Sequence, residues 1–200
     1  MGERFLYSDI PSLRPKEGEK TINDCFREEL EKADQIEISV GFSSFLSLKE
    51  LDRLVTEKNI KNISVILGMY FFNGFPKPLH QLALEINKKW KDAGIGEIRL
   101  MKSCKYHGKL YCFMKDKQVF SAIIGSANLS FLIATETTRL HQYEIALLTD
   151  TADVLQSSLD HIQTLKSENI SENIGVLEEK GLLFVIHSDL EKEHKISKVI

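Results

Sequence analysis

No run of apolar residues in this 200-residue chain approaches the ~20 needed to cross a bilayer. The opening, Met1-Gly2-Glu3-Arg4-Phe5-Leu6-Tyr7, lacks the apolar core of a signal peptide. Cysteine is scarce: Cys25, Cys104 and Cys112 cannot all pair, and no Cys-x-x-Cys spacing occurs. A disulfide framework and a cysteine-based zinc site are therefore not indicated, and a reduced, cytosolic protein is expected. Cys104 stands three residues before His107, yet no thiol-nucleophile motif accompanies the pair, so it reads as an ordinary cysteine. Carboxylates are also sparse where polar motifs gather. Between residues 105 and 146 only Asp116, Glu136 and Glu144 occur, too few for a divalent-metal cluster. Internal repeats are lacking as well.

At 42% hydrophobic residues, the chain has enough apolar material for one sizeable domain with a true core. Its net charge of −3 argues against a generic polyanion binder. The distribution is less even. Residues 76–117 carry ten Lys/Arg against four Asp/Glu, a local balance of +6 that leaves −9 for the remainder. That basic segment leads into His107, and a polyanion is expected to be drawn to its face. Lys88, Lys89 and Lys91 read equally well as the solvated side of a helix.

Residues 1–20 hold Pro11, Pro15 and Gly18 and read as an irregular leading segment. Helical spacing follows over Thr21–Lys32, then a strand over Gln35–Phe42. Ser47-Leu48-Lys49-Glu50 is a capping-box pattern, opening a helix with Leu48, Leu51, Leu54 and Val55 on its apolar face. Asn62–Leu67 is a β-branched run, hence a buried strand. Residues 68–78 form a loop with Tyr70, Phe71, Phe72 and Phe75, followed by a helix over Leu79–Lys91 and a strand over Glu97–Met101. The rhythm then changes to strands over His107–Met114 and Val119–Ile124, joined by a hairpin at 115–118. A polar loop at 129–141, a strand over Gln142–Leu148 and a helix through Val154–Leu165 complete the pattern. Residues 167–180 look like an acidic linker, and Leu182–Ile186 is a last apolar run. The expected fold class is α/β, a sandwich with a mixed sheet.

The motifs lie in the second half. His107 and Lys109, in Lys105-Tyr106-His107-Gly108-Lys109-Leu110-Tyr111, are two apart and on a strand would share a face. Ser126 and Asn128 repeat that spacing after Ala122-Ile123-Ile124-Gly125, and Glu144 sits between Tyr143 and Ile145. A neutral histidine attacks phosphorus and a protonated one supplies a proton to a leaving alkoxide. A carboxylate, here Glu144, anchors the second ring nitrogen. Lys109 supplies fixed positive charge, Ser126 and Asn128 donate to non-bridging oxygens, and Gly125 lets backbone approach a phosphate. His141 stays open as a rival to His107, and Glu136 as a rival to Glu144. Tyr106, Tyr111 and Tyr143 read as packing residues.

The series His107-x-Lys109, Gly125-Ser126-x-Asn128, Glu144 resembles the phospholipase D superfamily, closely over about 40 residues and through the α/β pattern over most of the chain. The resemblance implies a phospholipase D-like sandwich with a mixed, mostly parallel central sheet flanked by helices. It also implies a phosphohistidine formed on His107, phosphate held by Lys109, Asn128 and Ser126, and Glu144 orienting the histidine. One departure stands out: the superfamily commonly places an aspartate five residues after the lysine, and here that position is Met114, with Asp116 two residues further on. This departure favours a nuclease over a lipase.

Within that superfamily the chain looks like the catalytic domain of restriction endonucleases related to NgoFVII and BfiI. Residues 1–180 are then the catalytic domain, and 181–200 a linker or the start of a C-terminal DNA-recognition domain. The narrower resemblance implies a bacterial, cytoplasmic type II restriction enzyme that cleaves double-stranded DNA with no metal and no other cofactor. Whether a helicase or ATPase partner takes part is left open. A single motif copy supplies one histidine where the reaction uses two, so a homodimer with the active site on its two-fold axis is expected. The alternatives are a lipid or small phosphodiester hydrolase and a catalytically silent DNA-binding module. No signal or basic amphipathic helix favours the lipid alternative, and the intact His, Lys, Asn and Glu set argues against the silent one.

Overall fold

The β-branched runs form the middle of a nine-stranded sheet in the computed structural model, which describes residues 2–10, 13–133 and 142–186. The first half of the chain supplies β1 (Arg4–Tyr7), β2 (Lys20–Thr21), α1 (Ile22–Lys32), β3 (Gln35–Val40), α2 (Phe45–Glu57) and β4 (Asn62–Leu67). Then come α3 (Tyr70–Asn73), β5 (Phe75–Pro76), α4 (Lys77–Asp92), β6 (Gly96–Met101), β7 (Lys109–Lys115) and β8 (Gln118–Gly125). The last elements are β9 (Ile145–Thr149), α5 (Ala152–Leu165), β10 (Ser171–Asn173), α6 (Ile174–Glu179) and β11 (Val185–Ile186).

The sheet order is β10-β6-β4-β3-β7-β8-β9-β1-β2, and β11 pairs separately with β5. Neighbours β3, β4 and β6 are parallel, linked by crossovers through α2 and through α3–α4, while β7, β8, β9 and β1 follow as antiparallel neighbours. The α/β sandwich with a mixed sheet is thus the observed fold. Helices α1, α2, α4 and α6 cover one face, over Ile36, Ile38, Val40, Val65, Leu67, Tyr111 and Phe113. Only α5 covers the other among the described residues, packing Leu155, Ile162 and Leu165 on Ile66, Leu110, Cys112 and Ala122. Both faces of β3 and β4 are buried: β4 reads as a β-branched run, whereas β3 alternates, its Glu37 and Ser39 lying opposite the face of Ile36, Ile38 and Val40.

Several boundaries differ from the expectation, each for a local reason. The leading segment is not wholly irregular: β1 pairs with β9, but it has four residues and buries only Leu6, too little for a period to show. Helix α2 starts at Phe45 because Ser44 takes the cap, its side chain accepting from Ser47 N–H at 3.1 Å, while Ser47 itself is buried. The aromatic loop contains α3 and β5, since Tyr70 and Phe75 turn into the core. The acidic linker is part of the domain: Ser171 pairs β10 to β6, and Ile174 and Leu177 of α6 are buried. Its polar residues are satisfied internally, with Arg99 Nε donating to Ser171 Oγ at 3.0 Å and Asn173 Nδ2 to Glu97 Oε2 at 2.8 Å.

This topology gathers one end of the sheet. Val40 ends β3 opposite Leu67 of β4 and opposite Lys109, the first residue of β7. Leu110 faces Ile124, and Gly125 faces Ala146 of β9. The ends of β3, β4 and β8 therefore meet the starts of β7 and β9, the end of a parallel block where open α/β sheets place their clefts.

Candidate active site

His107 lies two residues before β7, not on it as the spacing predicts, so no strand face is shared with Lys109. The pair is joined more directly. Lys109 Nζ donates to the His107 carbonyl at 2.5 Å and stands 2.9 Å from its Nδ1. The ring is exposed, whereas Lys109 is buried, at 7% accessibility. Burial lowers the lysine pKa from its ordinary value, and the negative charge of Glu144 opposes that shift. A protonated Lys109 makes Nδ1 the acceptor, which puts the proton of the neutral ring on Nε2.

Asn128 approaches the same ring. A Cβ on Gly41 would lie 3.2 Å from His107 Cδ2, 3.3 Å from Asn128 Oδ1 and 3.4 Å from Met69 Cγ. Glycine at the end of β3 is what lets these side chains close over the backbone. Asn128 Oδ1 accepts from Phe42 N–H at 3.0 Å, and the Phe42 ring meets the imidazole edge-on at 6.4 Å. With Oδ1 so engaged, and with no partner for Nδ2 among the described residues, the amide NH2 is the group available to a ligand.

Ser126 and Glu144 form a second pair. The register that sets Gly125 against Ala146 brings Glu144, immediately before β9, beside Ser126. The Ser126 hydroxyl donates to Glu144 Oε2 and accepts from Ile145 N–H at 3.1 Å. Glu144 N–H is held in turn by Ser8 Oγ at 3.0 Å. The expected bond from Glu144 to the imidazole is not made: its carboxylate is taken by Ser126, and Nδ1 is taken by Lys109. The Ser126 hydroxyl is likewise already engaged. Gly125 has a structural reason to be glycine, because a Cβ there would sit 2.4 Å from the Ile145 carbonyl. His141 and Glu136, the rivals, lie outside the described residues. Cys104 is exposed, and no hydrogen bond joins it to His107 among the described residues.

The basic segment is not one free patch. Lys88 pairs with Asp92 at 2.6 Å and Lys89 with Asp52 at 2.8 Å, late in α4 and towards the far end of the sheet from His107. Among the described residues no group of three or more His, Cys, Asp or Glu side chains could hold a metal ion. No helix among them is long and apolar enough to cross a membrane. Gly41, Phe42 and Tyr70 are contributors that motif reading did not single out. The sequence trace of the first two is a glycine and an aromatic closing an alternating strand, and that of Tyr70 is its place in the aromatic run after β4.

An imidazole against an ammonium and a carboxamide, at the sheet end of a mixed α/β sandwich, is the architecture of the phospholipase D class. Residues 20–179 match the model of the NgoFVII restriction endonuclease N-terminal PLD domain. The chain belongs to that family, one of PLD-domain nucleases and phosphodiesterases. No curated protein matches by sequence. Among solved structures, NucT from Helicobacter pylori is similar at 15% identity and a TM-score of 0.56, over 84% of this chain and 96% of that one. Phosphatidylserine synthase from Haemophilus influenzae Rd KW20 is similar at 13% identity and a TM-score of 0.56, over 86% of this chain and 39% of that one. Polyphosphate kinase from Porphyromonas gingivalis is similar at 14% identity and a TM-score of 0.51, over 82% of this chain and 26% of that one. At these identities the likeness is one of fold.

Proposed function

We propose that the chain is the catalytic domain of a metal-independent DNA endonuclease, with His107 as nucleophile and Lys109 and Asn128 as phosphate ligands. The observation that carries this reading is the closure of the His107 ring and the Asn128 amide over Gly41, with Lys109 Nζ 2.9 Å from Nδ1. A phosphodiester entering that cleft meets an ammonium and an amide NH2, both donors to its non-bridging oxygens. Lys109 exchanges Nδ1 for a phosphate oxygen, the ring proton moves to Nδ1, and Nε2 attacks phosphorus. A nitrogen–phosphorus bond forms, the phosphorus–oxygen bond to the leaving alkoxide breaks, and water later releases the phosphate from the histidine. Glu144, braced by Ser126, stabilises the positive ring and ammonium through its charge.

The leaving alkoxide takes its proton from the His107 of a second copy, so the functional unit is a homodimer closed over the site. The exposed apolar residues Ile124, Tyr143 and Ile145, beside Ser126 and Glu144, support a second copy docking there. In this reading the setting is the bacterial cytoplasm, double-stranded DNA is the substrate, and residues 181–200 lead to a sequence-reading domain.

The test is plasmid DNA incubated with the protein in EDTA. Nicks or breaks that disappear in His107→Ala, with the circular dichroism spectrum retained, are the expected result. Losing a covalent nucleophile lowers the rate by on the order of 10⁴-fold or more. Undiminished cleavage by His107→Ala moves the nucleophile elsewhere. An intact plasmid with retarded mobility marks a binding module, and turnover of lipid but not DNA marks a phospholipase.

A further inference from the structure

Reading the site as a phosphodiesterase leaves one question open: what holds the Asn128 amide with its NH2 presented? A terminal carboxamide torsion is broad, so the chain alone does not orient it. Its orientation rests on the 3.0 Å bond from Phe42 N–H to Oδ1, which requires two backbone segments, 41–44 and 126–129, at a fixed separation. The segments are tied to each other by Ser44 N–H to Leu129 O at 3.0 Å and Leu129 N–H to Phe42 O at 3.2 Å. Those bonds set the spacing of the pair, and Met69 N–H to Gly41 O at 3.1 Å and Ser126 N–H to Ile145 O at 3.0 Å tie its outer ends to the turn after β4 and to the start of β9.

Each segment is also pinned from the core by a tyrosine hydroxyl. Tyr111 of β7, 1% accessible, donates to the Ala127 carbonyl at 2.8 Å, one residue before Asn128. Tyr70 of α3, 5% accessible, donates to the Ser43 carbonyl at 2.6 Å and accepts from Ser43 N–H at 3.1 Å, one residue after Phe42. Neither ring has freedom to swing. Tyr111 meets Phe26 at 5.8 Å and Phe131 at 5.6 Å, both edge-on, and Tyr70 stacks on Phe75 at 4.2 Å with an edge against Phe42 at 5.3 Å. Burial pushes the Tyr70 hydroxyl up to about 12 and that of Tyr111 higher than its ordinary value, so both stay neutral donors at working pH.

We propose that Tyr70 and Tyr111 act together as positioning residues, fixing through Ser43 and Ala127 the bond that aims the Asn128 amide. This rests on the phosphodiesterase reading for its kinetic consequence but not for its geometry. Neither hydroxyl reaches the reacting atoms. Removing one leaves a buried peptide group without a partner beside the amide, and a small displacement of a phosphate donor costs turnover more than binding.

The variants Tyr70→Phe and Tyr111→Phe keep the rings and remove only the hydroxyls. In the full chain, each is expected to lower kcat on bis(p-nitrophenyl) phosphate about tenfold with KM within about twofold. In an Asn128→Ala background the same substitutions are expected to change kcat no further, because the group they aim is gone. The Asn128 side-chain NH2 resonances are expected to broaden or shift in each variant relative to the wild type. Losses that follow the melting temperature, that persist undiminished without Asn128, or that leave the NH2 resonances unmoved overturn the proposal. A wild type that hydrolyses no phosphodiester, with the resonances still perturbed in both variants, refutes the reaction and upholds the positioning role.

Discussion

Gly41 shows how much of the site depends on an atom that is not there. Its missing Cβ is the space into which His107, Asn128 and Met69 close, at 3.2, 3.3 and 3.4 Å from where that carbon would sit. Contacts this tight oblige the neighbours to give by a few tenths of an ångström, and two of the three carry the proposed chemistry. Gly41→Ala is therefore expected to lower kcat by about tenfold to a hundredfold, the scale of sub-ångström misplacement, with a far smaller effect on folding. Steady-state kinetics beside thermal melting checks this, and full activity in a folded variant removes Gly41 from the site. Lys109 is the complementary case. Burial lowers its pKa, so its proton is lost at lower pH than an exposed lysine's, and Glu144 opposes that loss. A Glu144→Gln variant is expected to move the alkaline limb of the kcat profile to lower pH, and an unmoved limb would remove that carboxylate from the control of Lys109.

At the scale of elements, α5 carries one side of the sandwich among the described residues and is tied to the sheet by a charge pair. Lys166, its C-cap, donates to both Glu37 oxygens at 2.9 and 3.1 Å, and Glu37 lies mid-β3 at 5% accessibility. Burial raises the Glu37 pKa and Lys166 works against the rise. Without Lys166 the buried carboxylate loses its counter-charge, so Lys166→Met is expected to cost about 3 kcal/mol, the low end for breaking a buried pair with one partly exposed partner. Because burial holds the folded-state pKa above the ordinary carboxylate value, that loss grows as pH rises and shrinks as pH falls and Glu37 takes a proton. Denaturant melts at pH 7.5 and 5.0 read it, and a pH-independent loss would assign the effect to packing. This pair also marks where sequence reading stops. His107, Lys109, Ser126 and Asn128 stand out because the pairs 107–109 and 126–128 are each short and contiguous, β3 because Ile36, Ile38 and Val40 alternate with polar residues, and β4 because its run is β-branched. Tyr70 reaches Ser43 across 27 residues and Glu37 reaches Lys166 across 129, so neither partnership leaves a local pattern. β10 and α6 leave no pattern because Ser171 is satisfied by Arg99 and Asn173 by Glu97 inside the fold, while in sequence they read as solvated polarity.

At the scale of the whole molecule, His107 is the imidazole that closes on Lys109 and Asn128 among the described residues, while His161 of α5 lies against Tyr106, ring centroids 5.8 Å apart. In the reaction proposed above, attack and leaving-group protonation take two imidazoles, and a second copy of the chain is the proposed source of the other. The sheet face beside the site is uncovered where a partner would have to lie: Tyr143 is 41%, Ile145 47% and Ile124 37% accessible, and Phe5 of the next strand is 60% accessible. An uncovered apolar strip flanking the site fits the proposed two-fold interface. Ile145→Arg places a charge in the middle of that strip without touching His107, Lys109 or Asn128. The variant is expected to sediment as a monomer where the wild type sediments as a dimer, and to lose about a hundredfold or more in cleavage, the lower range for a missing general acid. Raising the protein concentration should restore activity in proportion to the dimer recovered, because the site of each chain is intact. A wild type that cleaves as a monomer, or an Ile145→Arg monomer with full activity, would mean that the second proton comes from within the chain, and the search would then turn to His141 and its neighbours.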